Sequence, residues 1–276
     1  MSVKNFIPEL WAARALAKLR KALVYAAGVN TDYEGEIRQA GDTVRINSIG
    51  EVTIADYVPN STSITPEELN DQQQVLKVDQ MKYFAFKVDD VDQAQLRGNV
   101  MDEAIGSGAW GLANAADYFV SGLYDQAGTT TVETAVNSLN VLVCLLTLGQ
   151  KLDELNVPQV DRWCVIPPWM KTKLILAKVL LENSPGNEAW TNGYVGRAAG
   201  FDLRESNNVR LVSATNYKIM AGTRKAISFA GQINKVEAYR PQSEFSDAVK
   251  GLYVYGGKVV YPDALAVLDA TIAAEP

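Results

Sequence analysis

The sequence predicts an α+β fold in which a long β-hairpin and a long helix precede a compact α/β region. Three observations predict it. Residues after Gly41 alternate between apolar and polar side chains, which indicates strands. From Val91 to Tyr124, apolar residues recur at helical spacing, and beyond Gly128 helical and strand-like segments are mixed.

Length and composition indicate a folded chain of one or two domains. The chain has 276 residues, of which 47% are apolar and 21% charged, whereas a disordered chain would carry too little apolar surface to offset its conformational entropy. No apolar run approaches the roughly 18 residues that span a bilayer. The N-terminus has basic residues where a secretory signal needs an apolar stretch, so we expect a protein made and kept in a cytosol.

The chain contains no histidine, which excludes Ser-His-Asp and Cys-His nucleophiles, histidine zinc sites and histidine proton shuttles. Its two cysteines, Cys144 and Cys164, are too few for a thiolate metal site and too far apart for a redox pair. We therefore expect both to be reduced core residues. No catalytic residue, metal ligand or cofactor site is predicted.

The net charge is −6 and is unevenly distributed. Residues 1–27 carry five basic side chains against Glu9 alone, so this arm is +4 and the remainder is −10. An acidic body disfavours broad nucleic-acid binding. The arm either contacts a polyanion or an acidic neighbour through Arg14, Lys18 and Lys21, or it docks on the body through apolar residues at helical spacing, namely Leu10, Ala13, Leu16, Ala17 and Leu23.

The alternating segments predict a β-hairpin with unusually long arms. One strand starts near Gly41 and bends at Gly50, the other runs from Val75 to Val88, and the turn-rich stretch Pro59–Asp71 lies between them. Arms of about 15 residues would be about 50 Å long. Such a ribbon must lie along a large sheet or be covered by another chain. We therefore predict subunit-interface residues here: Arg45, Asn60, Ser61, Thr62, Ile64, Pro66, Glu67, Leu69 and Lys77.

The helical pattern from Val91 to Tyr124 predicts a helix of about 50 Å at 1.5 Å per residue, capped by Asp89 and Asp90. Each glycine within it costs about 1 kcal/mol relative to alanine. Such glycines either admit close packing against a sheet or allow the helix to flex. The flexing hypothesis rests on Gly106, Gly108 and Gly111.

The following region predicts alternating helices and strands. A helix is expected over Val136–Leu155, a strand over Trp163–Ile166 that ends at Pro167-Pro168, and a helix over Trp169–Leu181. The first helix is expected to direct Leu139, Val143, Leu146 and Leu152 inward.

The chain has two glycine-rich stretches, and neither has the residue spacing and strand-to-helix context of a phosphate-binding loop. The glycines of Asn192–Gly200 are three and four residues apart and precede a strand, so we expect a turn or strand edge. Gly256-Gly257-Lys258 is interpreted as a hairpin turn between Leu252–Tyr255 and Val259–Tyr261.

Five segments, taken in order, carry a resemblance to a known family: Phe6–Trp11, Arg162–Pro168, Asn192–Gly196, Ala226–Ala230 and Tyr255–Val259. The strand that ends in Pro-Pro and the later Asn-Gly-x-x-Gly-Arg before Gly-Phe are the most specific. Over essentially the whole chain, the sequence resembles the major capsid proteins of tailed bacteriophages, which have the Hong Kong 97 fold.

The resemblance implies a Hong Kong 97-like capsid fold. Its expected parts are an N-terminal arm (1–35), an extended β-hairpin loop with the start of a peripheral domain (36–88), a spine helix (89–128), an axial domain (129–250) and a return to the peripheral domain (251–276). It implies pentamers and hexamers of this chain on an icosahedral lattice around double-stranded DNA, assembled in the host bacterial cytoplasm as the virion capsid.

The implied partners are other copies of the chain, a portal protein and packaged DNA in weak contact. A separate scaffolding protein is also implied, unless a scaffold segment was removed before residue 1. Neither a membrane nor a small-molecule substrate is expected. An alternative within the fold is an encapsulin-type compartment, which holds a cargo enzyme instead of DNA. A carboxylate enzyme using Glu67 and Asp71 is less favoured, because no motif surrounds that pair.

Overall fold

The computed structural model describes most of the chain. The described residues are 23–32, 43–49, 54, 56, 59, 71–89, 100–177, 194–213, 215–240 and 246–275. Within them, no helix is long and apolar enough to cross a membrane.

These residues form twelve strands and three α-helices. The strands are β1 (Thr43–Ile49), β2 (Asp71–Lys77), β3 (Gln80–Asp89), β4 (Thr129–Val136), β5 (Arg162–Ile166), β6 (Tyr194–Ala198), β7 (Phe201–Glu205), β8 (Arg210–Ser213), β9 (Asn216–Thr223), β10 (Ile227–Tyr239), β11 (Ser246–Val259) and β12 (Leu265–Ile272). The helices are α1 (Val100–Ser121), called the spine helix below, α2 (Val141–Glu154) and α3 (Pro168–Leu176), with short 3₁₀ helices at Gly122–Gln126 and Pro262–Ala264.

The described strands form three sheets. β1 and β2 make a two-stranded hairpin, and β10, β11 and β3 make a three-stranded sheet in that order. The third sheet has the order β4-β12-β9-β5-β7-β6, and β8 pairs with β9 beside this path. The spine helix packs on the three-stranded sheet, and α2 packs on β4 and β12 of the seven-stranded sheet. One apolar core includes residues of both helices and of both of these sheets.

The spine helix is confirmed, and its described part has 22 residues, or about 33 Å at 1.5 Å per residue. Residues 90–99, where the predicted helix begins, lie outside the described residues. Asp89, predicted to cap the helix, is the last residue of β3. Among the apolar residues that recur at helical spacing, Ile105, Leu112, Ala116 and Leu123 are buried.

Aromatic rings join the spine helix to the three-stranded sheet. The Phe119 ring meets the Tyr255 ring edge-on, with centroids 5.5 Å apart. On β3, Phe84 stacks on Phe86 at 6.1 Å, and the Phe84 ring lies against Gly108 of the helix. Edge-on aromatic pairs contribute about 0.5–1.5 kcal/mol beyond area burial, so these contacts help to hold the helix at one place on the sheet.

The hairpin is confirmed, but the predicted single return strand Val75–Val88 is wrong. β1 and β2 pair antiparallel from Thr43 opposite Lys77 to Ile49 opposite Asp71. The buried side chain of Val78 then enters the core below the hairpin, and the chain continues as β3, which pairs with β11. Each described arm therefore has seven residues.

A helix near the predicted Val136–Leu155 is confirmed, but its start and inward face differ from the prediction. Residues up to Val136 form β4, and α2 begins at Val141, after a turn in which Asn137 Oδ1 accepts the backbone N–H of Asn140 at 3.1 Å. Leu152 is buried as predicted, whereas Leu139, Val143 and Leu146 are exposed. Apolar residues fill nearly every position of the first two turns, so the spacing did not single out the sheet-facing stripe: Val141, Cys144, Leu145, Leu148 and Leu152.

The strand before Pro167-Pro168 is confirmed as β5, and every residue in it is buried. Pro168 occupies the first turn of α3, where its missing N–H leaves no intrahelical bond unmade. The predicted helix Trp169–Leu181 is described through Leu176, and its remainder lies outside the described residues.

The first glycine-rich stretch contains the expected strand edge and turn. The second was predicted to be a hairpin turn and is not one. β6 and β7 are joined by Ala199 and Gly200, both at positive φ (51° and 83°). The predicted hairpin turn at Gly256-Gly257-Lys258 is wrong, because these residues lie inside β11, where Gly256 pairs with Ala230. A Cβ on Gly256 would overlap the Lys77 carbonyl oxygen, so the glycine admits the hairpin backbone.

The last strand does not return to the sheet that contains β3. β12 pairs in parallel with β4 and antiparallel with β9, which places it inside the seven-stranded sheet. Conversely β10, within the expected axial segment, pairs with β11 in the three-stranded sheet.

Candidate assembly surfaces

The hairpin is anchored to the three-stranded sheet at its base. Its inner face buries Val44, Ile46 and Leu76 against Ala230 and Val254 of the sheet and against Val260, which directly follows β11. In addition, the Gln74 side-chain amide donates to the Val260 carbonyl at 3.1 Å. These contacts hold the described arms of the hairpin on the three-stranded sheet.

The outer face of the hairpin brings together two predicted interface residues, Arg45 and Lys77, which are both exposed. Val75, opposite Arg45, lies on the same face and is also exposed, and further along the loop Ile54 is 96% exposed. We missed these two apolar residues, although alternation along the strands signals them. The other predicted interface residues lie outside the described residues: Asn60, Ser61, Thr62, Ile64, Pro66, Glu67 and Leu69.

A second surface forms where the N-terminal segment crosses the spine helix. The Asp117 carboxylate accepts backbone N–H bonds from Val24 at 2.7 Å, Tyr25 at 3.1 Å and Ala26 at 3.4 Å. On the other side of the segment, Arg204 Nη1 of β7 donates to the Val24 carbonyl at 3.2 Å. We call this arrangement the clasp.

Burial controls the electrostatics of the clasp. Removal from water raises the pKa of Asp117 to about 6, although the three N–H bonds and Arg204 act to lower it. Burial, and next the Asp117 charge, raise the pKa of Tyr25 well above its usual value. Sequence reasoning missed Asp117, and the available signal was a carboxylate inside the apolar stripe of a helix.

The residues beyond the clasp contact the seven-stranded sheet and then the three-stranded sheet. Tyr25 meets Trp163 of β5 edge-on at 6.4 Å, and a Cβ on Gly28 would lie 3.1 Å from the Trp163 ring. Asn30 exchanges backbone hydrogen bonds with Ile227 and Phe229 of β10. The segment thus connects the spine helix to the seven-stranded and three-stranded sheets. The predicted basic residues of the arm, Arg14, Lys18 and Lys21, lie outside the described residues.

The glycines of the spine helix have different surroundings. A Cβ on Gly108 would approach the Phe84 ring to 2.9 Å, whereas a Cβ on Gly111 would meet nothing within 4 Å. Gly106 is partly buried. Close packing therefore explains Gly108, and it does not explain Gly111.

The groove and the buried titratable groups found among the described residues make contacts that hold the fold together. A groove of about 420 Å³ lies between α2 and the β6–β7 turn. Its buried Arg162 donates to Asp153 Oδ1 at 2.7 Å and to the carbonyls of Val157 and Pro158.

The two cysteines are thiols at neutral pH, because burial raises the pKa of Cys144 to about 11 and the pKa of Cys164 to about 12. The described residues contain no cluster of metal-ligating side chains.

Solved phage structures share this architecture. The chain superposes on the capsid structure of cyanophage P-SCSP1u with a TM-score of 0.67, over 92% of this chain and 88% of that chain, at 18% identity. A solved structure of Mycobacterium phage Che8 matches with a TM-score of 0.71, over 89% of this chain and 90% of that chain, at 30% identity. The chain belongs to the major capsid proteins of tailed bacteriophages.

This capsid protein therefore forms a shell, and its place is the capsid of the virion. A virus-like particle from Pyrococcus furiosus shares the fold, with a TM-score of 0.62 at 13% identity over 95% of this chain and 98% of that chain. Neither a protein-family model nor a curated protein sequence matches the capsid protein.

Proposed function

We propose that this capsid protein builds an icosahedral shell of pentamers and hexamers around double-stranded DNA, using the Hong Kong 97 arrangement of arm, extended hairpin, spine helix and axial domain. The observation that carries the proposal is the hairpin. Its inner face is anchored on its own subunit, while Arg45, Val75, Lys77 and Ile54 are exposed. Exposed apolar side chains on a projecting ribbon favour cover by a neighbouring subunit.

The tip residues Asn60–Asn70 supply the rest of this contact in the proposal. They include only two large apolar side chains, Ile64 and Leu69, so they contribute little to a subunit core. Their contacts are proposed to be intermolecular.

The proposed partners include a separate scaffolding protein and a portal protein, with assembly in the bacterial cytoplasm. Packaged DNA meets the basic arm residues Arg14, Lys18 and Lys21 through weak, salt-dependent contacts, while the acidic remainder limits broader binding. The role is structural, without catalysis, cofactor or small-molecule substrate.

In this proposal the spine helix bends differently before and after the shell expands. Gly111 is the residue to test, because its Cβ position is open and alanine stiffens a helix there without a packing change. Gly106 and Gly108 belong to the same hypothesis. An unchanged expansion temperature for Gly111→Ala shells would argue against flexing at this site.

The hairpin is tested by replacing Asn60–Asn70 with a short Gly-Ser turn and expressing the capsid protein with its scaffolding partner. We expect a nearly unchanged circular-dichroism melt of the subunit and a sharp fall in shell yield on a sucrose gradient. Arg45→Glu with Lys77→Glu should also reduce the yield. The matched charge reversal Arg224→Glu with Lys225→Glu, in an exposed turn, is the control. Normal shells from the shortened hairpin would contradict the proposal, and a collapsed melt would show that the tip packs on its own subunit.

An encapsulin-type compartment is the second candidate, and it is supported by the fold that the chain shares with the virus-like particle from Pyrococcus furiosus. Genome context distinguishes the two, since portal and terminase genes accompany a phage capsid and a cargo enzyme accompanies an encapsulin. Electron microscopy of the expressed protein, with and without scaffold, shows which particle forms.

A further inference from the structure

The outer side of α2 carries an apolar stripe that its own sheet leaves open. Leu139, in the turn that leads into the helix, is 76% exposed, and Val143 and Leu146 are 57% and 51% exposed. Spacings of four and three residues place these side chains along one side of a helix. Val143 precedes the buried Leu152 by nine residues, which is about two and a half turns, so the stripe faces away from β4 and β12.

A helix at a protein surface usually has one apolar side and one polar side. The first turns of α2 are instead apolar nearly all round, because the buried side chains Cys144, Leu145 and Leu148 alternate with the exposed stripe. Helices that are apolar all round are normally buried on every side. The described residues of one subunit cover only the side that faces the sheet.

The charged side chains of α2 are neutralised within the subunit. Lys151 pairs with Glu154 at 2.8 Å, and Asp153 pairs with Arg162 at 2.7 Å. The single cation of α2 is therefore engaged, which disfavours packaged DNA as the cover of the stripe, because DNA binding requires cations that are free to neutralise phosphates. An apolar centre depleted of free charge is typical of the core of a protein–protein interface.

A second copy of this chain fits such a surface. Copies of the capsid protein are neighbours in the shell, and each copy has a net charge of −6, so their acidic surfaces repel one another. Contact between copies is therefore most favourable where the local charges are already paired. The groove of about 420 Å³ continues the stripe, since Leu146, Gly149 and Gly200 line it, and it offers a concave surface to an approaching subunit.

We propose that the stripe formed by Leu139, Val143 and Leu146 docks on a neighbouring copy of the capsid protein in the assembled shell. The contact is separate from the one made by the hairpin. It rests on the shell formation that the proposed function also requires, and it is independent of the shell symmetry and of the enclosed cargo.

Maleimide labelling of single cysteines in unassembled subunits and in shells tests the contact. Val143→Cys and Leu146→Cys should react quickly in subunits and roughly tenfold more slowly in shells, because labelling then requires local opening of the contact. Lys225→Cys, in an exposed turn, is the control and should react at similar rates in both. The native cysteines are buried and do not compete.

A charged variant provides a second measurement that needs no cysteine. Val143→Asp with Leu146→Asp should leave the melt of the subunit nearly unchanged, because both side chains are exposed there. Shell yield should fall roughly tenfold, because assembly would bury two unpaired charges. The control Arg224→Glu with Lys225→Glu changes the net charge more and should retain the yield.

Equal labelling of the Val143 variant in subunits and shells would overturn the proposal and leave the shell role and the hairpin contact intact. Normal shell yield from the aspartate variant would do the same. Slow labelling in unassembled subunits would also overturn it, because another part of the same chain would then cover the stripe. Failure of the unmodified protein to assemble with its scaffold would instead contradict the proposed function and this contact together.

Discussion

The Asp117 carboxylate lies 2.7 Å from the backbone nitrogen of Val24 and so ties the C-terminal end of the spine helix to the N-terminal segment. A buried charge in this position is held by backbone N–H groups and by the nearby Arg204, with no ion pair in direct contact among the contacts described. Its protonation therefore bears directly on stability.

Acidification should stabilise the folded subunit through Asp117. Its native pKa of about 6 exceeds the unfolded value of 3.8, so between these values the native state binds a proton that the unfolded chain lacks. The contribution grows as the pH falls through about 6 and reaches up to about 3 kcal/mol. It should be absent in Asp117→Asn, which is neutral throughout.

This prediction is measured by denaturant unfolding of unassembled subunits at pH 7.5 and 5. Comparison with the variant is essential, because carboxylates with lowered pKa, such as Glu275 beside Lys173, lose stability over a lower pH range. Glu103→Gln, an exposed change on the same helix, should keep the wild-type dependence. Equal pH dependence in wild type and Asp117→Asn would contradict the assignment.

Two glycines of one helix should respond oppositely to alanine. Gly111→Ala should stabilise the subunit by about 1 kcal/mol, because the new methyl meets no neighbour and alanine favours helix. Gly108→Ala should destabilise it by about 1–3 kcal/mol, because the Phe84 ring must move. Thermal and denaturant unfolding of both variants check this. Stabilisation by Gly108→Ala would show that the ring yields easily.

Adjacent glycines in β11 provide a second matched pair. Gly256→Ala should cost about 2 kcal/mol or more, because its Cβ would overlap the backbone carbonyl of Lys77, which cannot rotate away. Gly257→Ala should be nearly neutral, since its nearest neighbours lie at 3.4–3.5 Å. Equal melting temperatures for the two variants would show that the Lys77 backbone does not restrict the side chain at position 256.

Arg162→Met should destabilise the loop between α2 and β5 by about 2–3 kcal/mol, because it leaves the carbonyls of Val157 and Pro158 without their buried donor. Lys151→Met, which removes an exposed pair with Glu154, should change stability little. We expect faster amide hydrogen exchange of residues 155–161 in Arg162→Met and unchanged exchange in Lys151→Met. Equal effects would show that the loop is held by other contacts.

The elements that could be predicted are those whose own sequence determines them. Alternation over Thr43–Ile49 defines a strand, spacing over Val100–Ser121 defines a helix, and Pro168 marks the start of α3. The exposed pair Arg45 and Lys77 followed from the same alternation. The clasp could not be predicted, because Asp117 meets Val24 only through tertiary packing.

The remaining differences arise where a distant segment decides the local structure. The local sequence around Gly256 indicates a turn, but in the structure this glycine lies in a strand because the Lys77 backbone packs against it. The strand before Val78 ends because the Val78 side chain enters a core formed with Val254 and Val260. On α2, β4 and β12 select the buried stripe of a helix whose first turns are apolar all round.

The position of β12 also sets an order on folding during synthesis. β4 has β12 as its described sheet neighbour, so residues 129–136 must wait until residues 265–272 have been made before their hydrogen bonds form. Such late pairing makes folding slow and leaves strand edges open on the growing chain. A nascent subunit therefore cannot present its finished seven-stranded sheet to other subunits until nearly the whole sequence has left the ribosome.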